Sequence, residues 1–163
     1  MRYLLLALSL LSAAVSARPA PDFSLSSLPD AEQLSQLKGK VVYLDFWASW
    51  CKPCRKSFPF MNQLQQEYGP KGLVVLAVNL DAEPQLAEQF LSDHPARFAV
   101  QFDPKGRIAS EYELIGMPSS YLIDAAGQIR YSHQGFFADN AARYEAEVQE
   151  LLSEIPSTSN LGQ

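Results

Sequence analysis

Two apolar runs constrain this chain more than any other feature, VVYLDFW at 41–47 and LVVLAVNL at 73–80. Each is nearly continuous rather than alternating, the pattern of a strand covered on both faces. Between them Cys54, Phe58, Met61, Leu64 and Tyr68 recur every three or four residues. That spacing predicts a helix from Lys52 to Tyr68, with Pro53 in its first turn and Gly69, Pro70 and Gly72 ending it. Strand, helix and buried strand in this order form a parallel crossover.

The remaining segments extend the pattern. A helical piece from Glu83 to Ser92 stops before Pro95, FAVQF at 98–102 is a short strand, Asp103 to Gly106 is a turn, and Ile108 to Leu114 is a short helix. MPSSYLID, AAGQ and IRYSH, over 117–133, read as two strands joined by a tight turn. A final amphipathic helix runs from about Asp139 to Leu152, with Ala142, Val148, Leu151 and Leu152 facing inward. Ahead of the first run, RPAPDFSLSSLPD is an extended segment with a turn near Pro29. The order predicts an α/β domain over 18–155 with a mixed central sheet and helices on both faces. With 163 residues, 47% of them apolar, the chain can bury one core without needing disulfides.

Both ends read differently. MRYLLLALSLLSAAVSA combines one basic residue, Arg2, with a leucine-rich run and a small-residue ending at Ala17. This is a secretory signal over 1–17, or an anchor if it is not cleaved, and it predicts a periplasmic location. PSTSNLGQ at 156–163 reads as a flexible tail. A formal net charge of -5, with basic residues scattered apart from Lys52, Arg55 and Lys56, gives no footprint for nucleic acid.

Export makes the cysteine count informative, because small exported domains often carry several disulfides and this chain has only Cys51 and Cys54. A bridge between them closes a very short loop, so its entropic gain is minor and it is a poor staple. A C-x-x-C pair beside a strand-helix-strand unit reads instead as a redox motif. Cys51 falls where the helix begins, so the helix dipole, Lys52 and Arg55 all favour its thiolate and lower its pKa, as a nucleophile needs. Cys54, one turn later and facing inward, is set to resolve a mixed disulfide formed at Cys51. Other readings use the same pair. Zinc would have only His94 and His133 to complete its ligands, a Cu(I) carrier needs fewer ligands, and an oxidase or isomerase would differ only in potential. A thiol peroxidase would need a threonine and an arginine arranged around one cysteine, which the surroundings of Cys51 lack.

PDFSL, LKGKVVYLDFWASWCKPCRKSFP, VVLAVNLD, GMPSSYLID and GQIRYSHQG together resemble the exported TlpA-like and ResA-like branch of the thioredoxin superfamily, over about residues 20–155. The resemblance implies a thioredoxin-like fold with an N-terminal extension and an extra α/β insertion at 80–100. It also implies a protein disulfide reductase that needs no cofactor or metal and acts as a monomer. Its partners would be disulfide-bearing clients, such as apocytochrome c or copper-site proteins, and a membrane thiol-reductant donor. By the same resemblance Pro118, after Met117, is the cis-proline beside the pair, Pro59 kinks the helix, and Asp45 relays a proton for Cys54. Trp50, with Pro53, Met117 and Pro118, shapes the substrate surface.

Trp47, Phe46, Phe58 and Met61 are expected in the core, and Phe136 and Phe137 in core or hairpin packing. His94, Asp81 and Glu83 are expected at the solvated surface. His133 is explained by strand alternation or by the copper reading. Ser57 stands where many relatives have glutamate, and Lys52-Pro53 replaces their Glu-Pro or Val-Pro.

Overall fold

The computed structural model describes residues 17–156; the expected signal and tail lie outside these residues apart from Ala17 and Pro156. Six strands, β1 (Arg18–Pro19), β2 (Val41–Trp47), β3 (Leu73–Asn79), β4 (Ala99–Phe102), β5 (Ser119–Ile123) and β6 (Gln128–Gln134), form one sheet in the order β1-β6-β5-β2-β3-β4. β2, β3 and β4 are parallel, whereas β5, β6 and β1 continue the sheet antiparallel. Four helices surround it: α1 (Cys54–Tyr68), α2 (Pro84–Asp93), α3 (Arg107–Glu111) and α4 (Ala141–Ser153).

Every residue of β2 is buried, as its unbroken apolar run requires of a strand with layers on both sides. Val41, Tyr43 and Trp47 face a core built with α1, α2 and α4, in which Phe58 packs against Trp47 at 4.9 Å and Phe90 at 5.0 Å between ring centroids. Val42, Leu44 and Phe46 face a second core, closed by α3 and by the segment carrying Phe23, Leu25, Leu34 and Leu37. That segment is pinned at several points. Ser26 N–H donates to Gln101 Oε1 at 2.9 Å, and the Tyr112 hydroxyl donates to the Pro21 carbonyl at 2.9 Å.

The structure departs from the sequence reading in a few places. α1 begins at Cys54 rather than Lys52, because residues 51–53 form a turn ahead of it. α3 ends at Glu111, short of Leu114, where Glu113 adopts φ 52° and leaves the helical region. Ala142 is exposed, and Tyr144 takes the inward position on α4. Phe136 packs on Phe60 and Tyr144, whereas Phe137 is exposed. β1 was not anticipated, since two residues are too few to show a period.

Candidate active site

The cysteines lie where β2 runs out. After Trp47 the chain turns, Cys51 N–H donates to the Ala48 carbonyl at 3.0 Å, and Cys54 N–H donates to the Cys51 carbonyl at 3.2 Å. The two sulfurs are bonded, with S–S 2.02 Å and Cα atoms 5.4 Å apart. Cys51 is 5% exposed and Cys54 is fully buried, while Lys52 and Pro53 between them are exposed. Cys51 thus precedes α1 instead of lying in it. The first N–H groups of α1 are taken by the turn, Arg55 donating to the Lys52 carbonyl at 3.3 Å and Lys56 to that of Pro53 at 3.0 Å. The N–H groups of Cys54, Arg55 and Lys56 are therefore not free to hold a Cys51 thiolate, and what α1 offers it is the alignment of its peptide dipoles. Pro59 lies within α1. The Ser57 hydroxyl is buried and donates to the Cys54 carbonyl at 2.9 Å.

Asp45 lies on the face of β2 that Tyr43 and Trp47 share, and is 2% exposed. Among the described residues its Oδ2 has no hydrogen-bond partner. Burial pushes its carboxyl well above the usual carboxylate range, because the ionised form has lost its water without gaining a partner. Ser119 pairs with Phe46, which places Pro118 beside the end of β2; the Met117–Pro118 peptide is cis. Met117 packs against the same core cluster that contains both cysteines. Trp50 projects outward at 67% exposure, and Ile115 and Phe137 are also exposed. Neither of the latter two had a sequence signal for exposure, since apolar side chains in short loops read as packing.

Asp81 overturns the expectation of a solvated surface carboxylate. It is only 2% exposed. It accepts from Ser49 N–H at 2.9 Å, from the Ser49 hydroxyl at 2.8 Å and from Asn79 Nδ2 at 2.7 Å. The carboxylate thereby ties the turn leading to Cys51 onto the end of β3. Its neighbour Glu83 is exposed. His94 is half-buried, not solvated, and stacks on Phe90 with ring centroids 4.6 Å apart. The His133 side chain is 8% exposed, with Nε2 2.7 Å from Glu147 Oε2 and Nδ1 3.2 Å from the Ser120 hydroxyl. Among the described residues no three His, Cys, Asp or Glu side chains gather into a metal site, and no helix is long and apolar enough to cross a membrane.

The chain is similar to known proteins in sequence and in fold. The redoxin family model matches residues 16–151. The thiol-disulfide oxidoreductase ResA of Bacillus thuringiensis subsp. konkukian is 36% identical, over 85% of this chain and 77% of that protein. ResA of Oceanobacillus iheyensis is 38% identical over 71% of this chain, which spans 63% of that protein's length. Among solved structures, a Chlorobium tepidum protein assigned provisionally as the thiol:disulfide interchange protein DsbE superposes with a TM-score of 0.79 at 48% identity. The match covers 83% of this chain and 96% of that one. A thioredoxin-like fold around the Cys51–Cys54 pair, together with these similarities, assigns the chain to the redoxin family, in its branch of ResA- and DsbE-like thiol-disulfide oxidoreductases.

Proposed function

We propose that the protein works outside the cytoplasm as a reductant of protein disulfides. The observation that carries this reading is the asymmetry of the pair. Cys51 touches solvent beside exposed Trp50, Cys54 is sealed behind it, and Asp45 waits in the same buried layer. In the reduced protein the Cys51 thiolate, favoured by the α1 dipole, Lys52 and Arg55, attacks one sulfur of a client disulfide. The client's other sulfur leaves as a thiolate. Asp45 then takes the proton of the Cys54 thiol, and the new thiolate attacks Cys51 Sγ and expels the client's second sulfur. Two electrons have passed to the client, and the protein is left as the disulfide seen here. A thiol reductant, supplied from a membrane donor in an oxidising compartment, must restore the dithiol.

Trp50, Pro53, Met117 and Pro118 border the place where the client segment would lie. The ResA and DsbE names of the relatives support disulfide-bearing clients of this kind, with apocytochrome c and copper-site proteins as the classes to try first. The test is covalent capture. Cys54→Ser in exported extracts should accumulate a mixed disulfide at Cys51 with client proteins, identified by mass, and Cys51→Ser should capture none and reduce no insulin disulfide. Normal insulin turnover by Cys51→Ser would end this reading.

A further inference from the structure

Three polar side chains cross the otherwise apolar sheet face beneath α4. Asp45 on β2 is the cross-strand partner of Ser120 on β5, which is in turn the partner of His133 on β6. Side chains of directly paired residues emerge on one face with Cβ atoms about 5 Å apart. The three lie side by side on one face and Glu147 of α4 extends them outward from His133; Asp45 Oδ2 has no hydrogen-bond partner among the described residues, so a turn of the Ser120 hydroxyl is what brings it onto the carboxyl. We infer that His133 and Glu147 are positioning residues for the exchange reaction: they conduct the proton of Cys54 between Asp45 and solvent by way of the Ser120 hydroxyl. This inference rests on the reading of Asp45 as the base for Cys54.

The partners fix the chemistry at each station. Glu147 can only accept, so Nε2 of His133, 2.7 Å from Glu147 Oε2 but not aligned on it for a hydrogen bond, carries the hydrogen, and Nδ1 is left to accept from Ser120 across 3.2 Å. A proton arriving on Asp45 passes to the Ser120 oxygen as Ser120 gives its own to Nδ1, and Nε2 releases one to Glu147. Glu147 stands at the boundary, its side chain 14% exposed and 3.8 Å from the exposed Arg143, and hands the proton to water. This leaves His133 protonated on Nδ1. The other half of the cycle reverses it. When an outside dithiol reduces the pair, Cys54 leaves as a thiolate that needs a proton, and inward passage from Glu147 restores the Nε2–H form. One proton out and one in per cycle keeps the path reset.

The surroundings suit a neutral carrier. The groups facing the row are Tyr43 of β2, Tyr131 of β6, and Arg143, Tyr144 and Glu150 of α4, with Cys54 from α1. Burial lowers the His133 pKa against the opposing pull of Glu147, which keeps the ring neutral at physiological pH. Burial, and then the nearby Asp45, raise the Tyr43 phenol out of the titrating range against the opposing pull of its hydrogen bond with Ser120, so Tyr43 touches the row at Ser120 but does not itself give up a proton.

The aromatic disulfide 5,5′-dithiobis(2-nitrobenzoate) separates the steps when mixed with the reduced full chain. Attack by Cys51 releases one coloured thiolate, and attack by Cys54 on the mixed disulfide releases a second together with the Cys54 proton, which a pH dye follows in parallel. In the wild type, dye and second colour should rise together. In His133→Gln and in Glu147→Gln the second colour phase should slow at least tenfold between pH 6 and 7, or the dye should lag behind it; the first phase reports that the fold is intact. Ser120→Ala is the less disruptive third variant and should behave alike. If Asp45→Asn slows the second phase while all three variants leave colour, dye and pH profile within twofold of wild type, the relay is wrong and Asp45 stands. If Asp45→Asn changes nothing, the base assignment fails, and the relay fails with it.

Discussion

Replacing Asp81 tests how the structure holds the turn that presents Cys51. The carboxylate accepts three hydrogen bonds in a buried setting, two from Ser49 and one from Asn79. Alanine leaves the Ser49 N–H and the Asn79 amide without an acceptor, at roughly 1–3 kcal/mol each, while the Ser49 hydroxyl can rotate to another partner. Asp81→Ala should therefore cost about 3 kcal/mol. With a urea slope of about 2 kcal/mol/M, this lowers the unfolding midpoint of the oxidised protein by about 1.5 M. Asp81→Asn keeps one acceptor oxygen and the same shape, and Ser49 Oγ can accept from the new amide, so its cost should be about 1 kcal/mol. Because each 1.4 kcal/mol is a factor of ten, hydrogen exchange at Ser49 in Asp81→Ala should accelerate more than tenfold where opening is local. An Asp81→Ala midpoint within ~0.5 kcal/mol of wild type, or equal losses for Ala and Asn, would refute the clamp, since a buried acceptor of three donors cannot be dispensable.

Two other outcomes follow from the site. The raised Asp45 pKa means that, above the ordinary carboxylate value near ~4, the unfolded chain gives up a proton that the fold retains. Stability attributable to this group is then complete at low pH and is lost as pH rises through the folded value, at up to about 1.4 kcal/mol per pH unit. Asp45→Asn lacks that loss, so urea unfolding from pH 4 to 7 should show the variant gaining steadily on wild type; parallel curves would contradict a buried, unpaired carboxyl. Trp50→Ala removes an exposed ring that supports no core, so its midpoint should stay within ~0.5 kcal/mol of wild type while kcat/KM for insulin reduction falls several-fold. Unchanged kcat/KM would remove Trp50 from the client surface.

The parts of the fold that the sequence revealed are those whose signal is local. β2 and β3 occupy the spans of their apolar runs, and Cys54, Phe58, Met61, Leu64 and Tyr68 line the buried side of α1 as their spacing demanded. The cysteine pair was legible because two residue types at one spacing beside a strand carry the chemistry together. What stayed hidden depends on partners distant in sequence. Asp81 looks like any loop carboxylate until Ser49, 32 residues away, meets it. His133 is an unremarkable strand residue until α4 brings Glu147 onto its ring. Arg18 and Pro19 pair with β6 through backbone groups alone, which leaves no trace in side-chain pattern.

That last pairing also orients the molecule. Arg18 and Pro19 sit opposite Ile129 and Gln128, at the start of β6, whereas the cysteines and Pro118 lie at the sheet margin reached by Gln134 and Ser119. Seven strand residues at about 3.3 Å each separate the two margins by roughly 20 Å. β1 runs antiparallel to β6, so the chain passes from Arg18 to Pro19 heading away from the margin that carries the sulfurs. Two residues cover only Ile129 and Gln128, so the outer edge of β6 from Arg130 to Gln134, on the way to the reactive rim, has no strand beside it among the described residues.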